Sequence, residues 1–465
     1  MSIKNKLAAI AMLGAALGAT ACQGDFLTGG ELSNDPNRPT VASNDQLFVG
    51  IQETLWAYWG SDPARVTGIY AQQFTGLANQ YGALGANYSQ DATTTNGTNS
   101  ALYTGGGLVD IVKLEKAATA NGDSLYLGIA QVMEGALMGT GADIFGDLVY
   151  TQALQGTPNP TLDDQLTVYD SVQKVLSAAI TNMAATGPTN IGPAAADLTF
   201  GSASTASAQA AAWTAMAHTL KARFYMHTAE KNGTPAYQSA LNEAKLGIMS
   251  DAGNYFGAFD DANHPNEANF YYQFHGPAGR GGDLGGGVFL DSLLRARNDP
   301  RDAEYFSFNA KGGVDWLSAT RNAPDFQQPF VTYDENTLIW AEAAYRTNDQ
   351  VTALAKLNEE RANHGLAAEA VSGLPLLNEI LIEKYIVDFQ LGEEAWNDYK
   401  RTCTPNIAPP QPNLVVPGRM FYDSGEENTN TNIPAPGVGI NNLRPPNDPV
   451  NANSDGTGLA CKAGA

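Results

Sequence analysis

The sequence predicts an all-α protein, a body of helix hairpins carrying long loop insertions, and three observations lead there. Segments of roughly 12 to 24 residues with apolar side chains at helical spacing succeed one another along the chain, joined by short turns. One of them, from Leu376, is so apolar that neighbours must cover most of its surface. Departures from the helical period are gathered into 76–107, 187–204, 250–330 and 405–465, all rich in residues that favour loops.

In chain order, Leu47, Ile51 and Leu55, then Val66, Tyr70 and Phe74, mark two helices between Thr40 and Thr75, with Trp56 and Trp59 near the end of the first. From Gly76 to Gly107 the composition turns to Asn, Gly, Thr and Tyr, a long loop holding Tyr81, Tyr88 and Tyr103; aromatic loops of this length point to function. Leu108–Ala120 and Ser124–Phe145 form a helix pair. Leu166, Tyr169, Val172, Leu176 and Ile180 set the period of Asp163–Ala185. Ser207–Glu230 is an Ala-rich helix that lets neighbours approach closely, with Pro235–Met249 as its partner. Between Ser250 and Phe330 lie Asp260-Asp261, the aromatic run Phe270-Tyr-Tyr-Gln-Phe274, the glycine-rich Gly279–Gly287 and Trp316. This is loop chemistry interrupting a helical chain, the usual way binding segments are mounted on a scaffold. Tyr333–Arg346 and Gln350–His364 resume the helices.

In the closing stretch Leu377, Leu381, Tyr385 and Phe389 recur every four residues, Ile380, Ile382, Ile386 and Val387 widen the stripe, and Glu379, Glu383, Lys384 and Asp388 mark a polar side. Gly392 punctuates it. Glu393-Glu394 then place negative charge at the start of a second helix and Lys400-Arg401 positive charge at its end, as the helix dipole favours. Adjacent helical positions point about 100° apart, so Glu393 and Glu394 are not placed to flank one glycosidic bond. They read as helix-end charge and salt-bridge partners.

Residues 1–21 read as a leader: Lys4 and Lys6, an apolar run from Leu7 to Leu17 too short to span a bilayer, then Ala19-Thr-Ala-Cys22. Cys22 is the expected lipidated first residue, and 22–40 a tether; plain secretory cleavage after Ala21 is the alternative. Residues 41–465 then form one domain. In an exported chain the two remaining cysteines, Cys403 and Cys461, can pair and pin the tail, worth about 4 kcal/mol in the chain-entropy picture, or stay as free thiols.

The composition excludes several functions. Net charge is −22 over 465 residues with no basic run, so nucleic acid is not an expected partner. The five histidines show no paired metal-ligand spacing, so no metal site and no zinc hydrolase is expected. The glycine cluster lacks both the Gly-Lys-Ser/Thr of a phosphate loop and a third dinucleotide glycine, Leu284 standing there; it reads as flexible loop, and no cofactor is expected. Ser171-Val-Gln-Lys174 has no Lys-Thr-Gly to accompany it and reads as chance on an amphipathic helix.

The run Lys384-Tyr-Ile-Val-Asp-Phe-Gln-Leu-Gly-Glu-Glu-Ala-Trp-Asn-Asp-Tyr-Lys-Arg-Thr402 resembles the C-terminal helix signature of the SusD/RagB family of nutrient-binding outer-membrane lipoproteins. Cys22 with Asp35-Pro-Asn-Arg-Pro-Thr40, Ala142–Tyr150 and Tyr333–Ala344 agree with it in the right order. The resemblance implies a tetratricopeptide-like body, lipid-anchored at the outer membrane and facing the cell surface. It further implies substrate capture without catalysis and delivery of glycans to a SusC-like TonB-dependent transporter. A helical scaffold binding peptides, or a surface glycan hydrolase, are the alternatives.

Aromatic rings in polar, Gly-rich settings suit the C–H face of a sugar, with Asn, Gln, Arg and Asp to meet its hydroxyls. Tyr88, Tyr272 and Trp316 are the expected stacking residues and Arg280 and Arg321 their polar partners, with the two aromatic loops meeting on one face. Trp56 and Trp59 come next in line.

Overall fold

The structure, a computed structural model, describes residues 42–433 apart from 94–96, 204, 265–266, 276–278, 412–413, 415 and the side chain of Glu230. The leader, Cys22, the tether and Cys461 lie outside the described residues. Two units are distinguished, Met1–Gln46 and Leu47–Ala465. In the described part of the first, the Ser43 N–H donates to Gln46 Oε1 at 2.9 Å and the Gln46 N–H to Ser43 Oγ at 3.2 Å, a reciprocal cap that starts the first helix.

That helix is α1 (Asn44–Gly60), followed by α2 (Asp62–Tyr70), strand β1 (Phe74–Gly76) and the short α3 (Asn79–Asn87) and α4 (Thr98–Ala101). Then come α5 (Leu108–Asn121), α6 (Ser124–Phe145), α7 (Gln165–Met183), α8 (Ala206–His227), α9 (Ala229–Asn232) and α10 (Thr234–Ala244). The insertion holds β2 (Tyr255–Gly257), α11 (Phe270–His275), β3 (Leu284–Gly286), α12 (Val288–Arg297), α13 (Arg301–Tyr305), β4 (Phe306–Phe308), β5 (Val314–Leu317) and β6 (Gln328–Val331). The chain closes with α14 (Tyr333–Arg346), α15 (Gln350–Asn363), α16 (Leu374–Val387), α17 (Glu394–Thr402) and α18 (Ser424–Thr429).

The long helices begin where a short polar side chain can accept a free backbone N–H. Asp123 caps α6, Asp164 α7, Thr205 α8, Thr332 α14 and Asp349 α15. Sequence neighbours pack as hairpins, α5 on α6, α6 on α7, α7 on α8, α8 on α10 and α14 on α15, while α14 also packs on α10 across the insertion and on α16. The helical body expected from the sequence is present, and among the described residues no helix is long and apolar enough to cross a membrane.

Three two-stranded patches depart from the all-helical expectation. β1 pairs antiparallel with β3, β2 with β6 and β4 with β5. The glycine-rich run is therefore not all flexible loop: Leu284, Gly285 and Gly286 are buried in β3. Residues 76–107 likewise hold two short helices. These elements are only three to nine residues long, below the length at which periodicity registers, and tertiary contact stabilises them.

Helix α6 is buried nearly all round, and its glycines set how closely others approach. Gly128 lies against Met183 and the Ala179 carbonyl, Gly135 against Leu176 and Gly139 against the Phe224 ring. A Cβ at Gly135 would meet both the Cδ2 and Cγ of Leu176 at 2.7 Å. Gly135→Val is expected to cost about 1–3 kcal/mol in denaturant unfolding. In the double variant with Leu176→Ala part of that loss should return; strictly additive losses would show that this contact is not the cause.

Candidate functional site

A cleft of about 280 Å³ opens between α1 and the insertion. Val49, Glu53 and Trp56, four and three residues apart, share the face of α1 that lines it. Opposite stand Leu198, Ala258, Phe259 and Ala268, with Phe270 and Gln273 from α11 and His264 and Glu267 from the preceding loop. Trp56 is held by its Nε1–H, which donates to the Tyr255 hydroxyl at 2.9 Å. Its ring centre lies 5.9 Å from that of Phe259, and Phe259 meets Phe270 edge to face at 5.2 Å. The loop between is fixed by the Asp260 N–H donating to the Glu267 carbonyl and Gln327 donating to the Phe259 carbonyl. The result is an aromatic floor with an exposed rim of Glu53, His264, Glu267 and Gln273, an arrangement able to take a flat apolar face and hydrogen-bond around it.

The stacking residues expected from the sequence are placed differently. Trp316 is 2 % exposed: its ring stacks on His275 at 4.7 Å, lies 5.7 Å from Phe74, and its Nε1–H donates to Asn322. A ring so covered anchors the insertion and presents no face to a ligand. Tyr88 is also buried, ending α3 in the left-handed region with φ 54° and packing edge to face on Tyr70; it lines a second cleft of about 200 Å³ with Phe74 and Phe289. Arg321 bonds Glu304 and Gln390 and lies 4.2 Å over Tyr305. Tyr272 is half-buried and Arg280, paired with Asp283, is exposed. Neither cleft includes Trp316, Tyr272, Arg280 or Arg321. The two aromatic loops do meet, through β1 and β3, Asn79 on Asp283 and Tyr81 against Phe274. Trp59 belongs to the core, donating to Thr140. Ser171 bonds its own helix through the Thr167 carbonyl.

Beneath the cleft lies a buried ionic core. Arg223 clasps Glu335 with two bonds of 2.6 Å and gives a third to the Phe330 carbonyl at 2.9 Å. Glu394 sits 3.5 Å from Arg223 and 3.0 Å from His227 Nε2, while His227 Nδ1 faces Asp143 at 2.7 Å. Arg401 clasps Glu342 and also bonds Asp398, which Lys384 contacts at 2.6 Å. The polar side of the closing helix is thus not solvated: Glu383, Lys384 and Asp388 are all buried.

In this core seven carboxyls (Asp143, Glu335, Glu342, Asp388, Glu393, Glu394, Asp398) face five basic groups (Arg223, His227, Lys384, Lys400, Arg401). Two are left over. Asp388 and Glu393 have no hydrogen-bond partner for any carboxyl oxygen among the described residues. Burial, and the charges of Asp398 on one and Glu394 on the other, push both well above the usual carboxylate range. Glu393 stands at the N-terminal end of α17 with no ion pair among the described residues, whereas Glu394 is a salt-bridge partner. Burial works against ionised Asp398 too, but Lys384 and Arg401 outweigh it and hold its carboxyl well below the ordinary range.

Residues 36–423 match the SusD-like family, described as starch-binding and associating with the outer membrane. No curated protein matches the sequence. Among solved structures, a SusD/RagB family protein from Bacteroides thetaiotaomicron is 20% identical with a TM-score of 0.63, covering 84% of this chain and 95% of its own. A SusD homolog from Bacteroides uniformis is 20% identical with a TM-score of 0.65, covering 83% and 95%. A chitin-binding SusD homolog from Flavobacterium johnsoniae is 14% identical with a TM-score of 0.67, covering 83% and 94%. At these identities the likeness is one of fold.

His227 gives the ionic core a pH signature. Burial alone would lower its pKa, but Asp143 and Glu394 on its two nitrogens outweigh that and hold it at about 10. The folded state therefore keeps a proton that the unfolded chain releases above about pH 6.5. That stabilisation is complete below the unfolded value and is lost as pH rises through the folded one; Asp388 and Glu393, also raised, act in the same direction. Unfolding free energy should fall between pH 6.5 and 10, with on the order of 1–3 kcal/mol from His227, and less steeply in His227→Gln. A slope unchanged in the variant would contradict this assignment.

Proposed function

The chain belongs to the SusD-like family, and from that premise we propose that it is a glycan-binding lipoprotein of the outer-membrane surface. It captures an oligosaccharide and delivers it to a SusC-like TonB-dependent transporter, without catalysis. The observation that carries this reading is the family match across residues 36–423, in a family described as starch-binding; one structural relative is named as chitin-binding. Acylated Cys22 supplies the anchor, and a Cys403–Cys461 bridge ties the tail to the end of α17.

The cleft between α1 and the insertion is the proposed sugar site. Trp56, Phe259 and Phe270 supply the apolar floor; Glu53 is exposed, and Gln273, whose amide nitrogen donates to the Ala268 carbonyl, keeps its side-chain oxygen for a hydroxyl. Tyr272 and Arg280, which stay near the surface, are proposed as outlying contacts. Trp316 and Tyr88 act as supports, by reason of their burial. Glu393 and Glu394 lie in the ionic core, away from solvent, which favours binding over hydrolysis.

A glycan and peptide array on the soluble form beginning at Gln23 identifies the ligand. For that ligand, Glu53→Ala and Gln273→Ala should each weaken binding by about 0.5–1.5 kcal/mol, one hydrogen bond, with melting temperature unchanged. Phe270→Ala should cost about 1–3 kcal/mol of affinity. Wild-type affinity in all three variants would remove the cleft from consideration.

Membrane attachment is tested separately. Two or more acyl chains hold a protein firmly where one is marginal, so Cys22→Ser should move the protein from the membrane to the soluble fraction. Firm association of the variant would refute the lipid anchor.

A further inference from the structure

Helices α14 and α15 bring together three side chains that the proposed function does not use. Glu360 and His364 stand four apart on one face of α15 and at its C-terminal end, and Asp334 comes from the first turn of α14. His364 Nε2 lies 2.9 Å from Glu360 Oε1 and 3.5 Å from Asp334 Oδ2. One ligand atom from each residue falls within 4.8 Å of the others.

The polar inventory does not close. Glu360 is fully buried, and neither of its oxygens, nor His364 Nε2, has an aligned hydrogen-bond partner among the described residues. Two carboxylates converge on a single ring nitrogen, which carries at most one proton. At His227 the geometry differs: Asp143 and Glu394 sit on different ring nitrogens, 2.7 and 3.0 Å away, although that trio too is compact and leaves His227 Nδ1 without an aligned hydrogen bond, and all three of its residues are buried with no way in for an ion. At His364 both acids crowd the same nitrogen, leaving the second Glu360 oxygen with nothing to accept.

Neighbouring charges do not resolve the deficit. Arg301 is close enough to act on both Glu360 and His364, yet its Nη2 is taken by Asp299 and Glu383 at 2.6 and 2.7 Å, its Nε by Asp299, and its Nη1 makes no hydrogen bond to Glu360. Glu359 is taken by Lys356 and the Tyr333 hydroxyl. The Asp334 and His364 side chains are 24% and 19% exposed, which gives an ion a way in.

We propose that Asp334, Glu360 and His364 form a binding site for a divalent transition-metal ion of the zinc class, with its remaining coordination open to solvent. One nitrogen and carboxylate oxygens suit such an ion better than calcium, which takes six to eight oxygens. Bonds of about 2.0–2.2 Å in a tetrahedron place ligand atoms about 3.3 Å apart; the observed 2.9 and 3.5 Å bracket that. The ion would clasp the start of α14 to the end of α15. Glu-x-x-x-His at helical spacing is its trace in the sequence, and it contains no second histidine to mark it as a metal site.

The test uses untagged protein beginning at Gln23, stripped with chelator. Titration with zinc by calorimetry, and with Co²⁺ by visible absorption, should give one saturable site with the bands of low-coordinate cobalt, and zinc should raise the melting temperature. Glu360→Gln and His364→Ala should each weaken binding by about 100-fold or more, beyond what loss of a supporting outer partner costs, and abolish the thermal shift. His264→Ala, at a surface histidine beside Asp260 and Glu267, should change neither. If the buried-site variants fail to fold by circular dichroism, Asp334→Asn, partly exposed, carries the same expectation. Absence of saturable binding, or binding that survives His364→Ala, overturns the proposal.

Discussion

The structure hangs on the clasp of Arg401 on Glu342 and the Lys384–Asp398 pair beside it, because these join three helices by directional contacts in the interior. Arg401 and Asp398 come from α17, Lys384 from α16 and Glu342 from α14. Burying this many charges forfeits hydration that their mutual attraction largely only restores, so the set adds little net stability. Its effect is on register. Turning α17 by one residue would swing Asp398 and Arg401 by about 100° and strand Lys384 and Glu342 uncompensated in the interior, at several kcal/mol each. No such penalty attends sliding one apolar face over another. The charged pairs therefore select one packing of helices whose leucines and isoleucines would accept several.

The same network reaches the cleft. Arg223, held by Glu335, donates to the Phe330 carbonyl in β6. β6 pairs with β2, whose last residue, Gly257, leads directly into Ala258 and Phe259 on the cleft wall. From the other side, Trp59 packs 5.5 Å from the Phe330 ring, one turn beyond Trp56 on α1. Both walls are thus referenced to one buried guanidinium. An aromatic floor needs that kind of support, since its rings offer a ligand a surface only where their spacing is fixed before binding.

The long helices were legible because their period is long and their caps are strong: Tyr333–Arg346 falls where the sequence places it, and Gln350–Asn363 within one residue. Short elements were not, and the reasons are particular. Gly279–Gly287 looks like flexible loop, yet glycine there serves close approach: a Cβ on Gly286 would collide with Val314 and Phe306. Trp316 sits among Asp, Gly and Ser in sequence, but its neighbours in space are His275 and Phe74, which local composition cannot report. The polar stripe of α16 misled in the opposite sense. Glu383 and Lys384 look solvated until their partners appear, Arg301 on one and Asp398 on the other, 82 residues away for Glu383. The cleft is half legible in the sequence: the aromatic run at Phe270 stands out and Trp56 ranks as a reserve candidate, whereas the facing Glu53 carries no signal beyond its place on a helix.

That half explains how the body and the binding surface divide their work. Assigning binding to loops and support to helices is too simple, because Trp56 does both, closing the core through Tyr255 and flooring the cleft with Phe259. What separates the two tasks is how the insertion is tied down. Between β2 and β6 it is pinned at Asn269, whose side-chain amide bonds Gln328 and the Phe326 carbonyl, and Gln328 in turn bonds the Gln390 carbonyl beyond α16. Residues outward of that pin, His264, Glu267 and Gln273 among them, are exposed. Their side chains can therefore vary without disturbing Trp56, Phe259 and the clasp beneath, which keep the floor in place, so the insertion side of the cleft is the part free to change and the helix side, Glu53 apart, the part bound to the core.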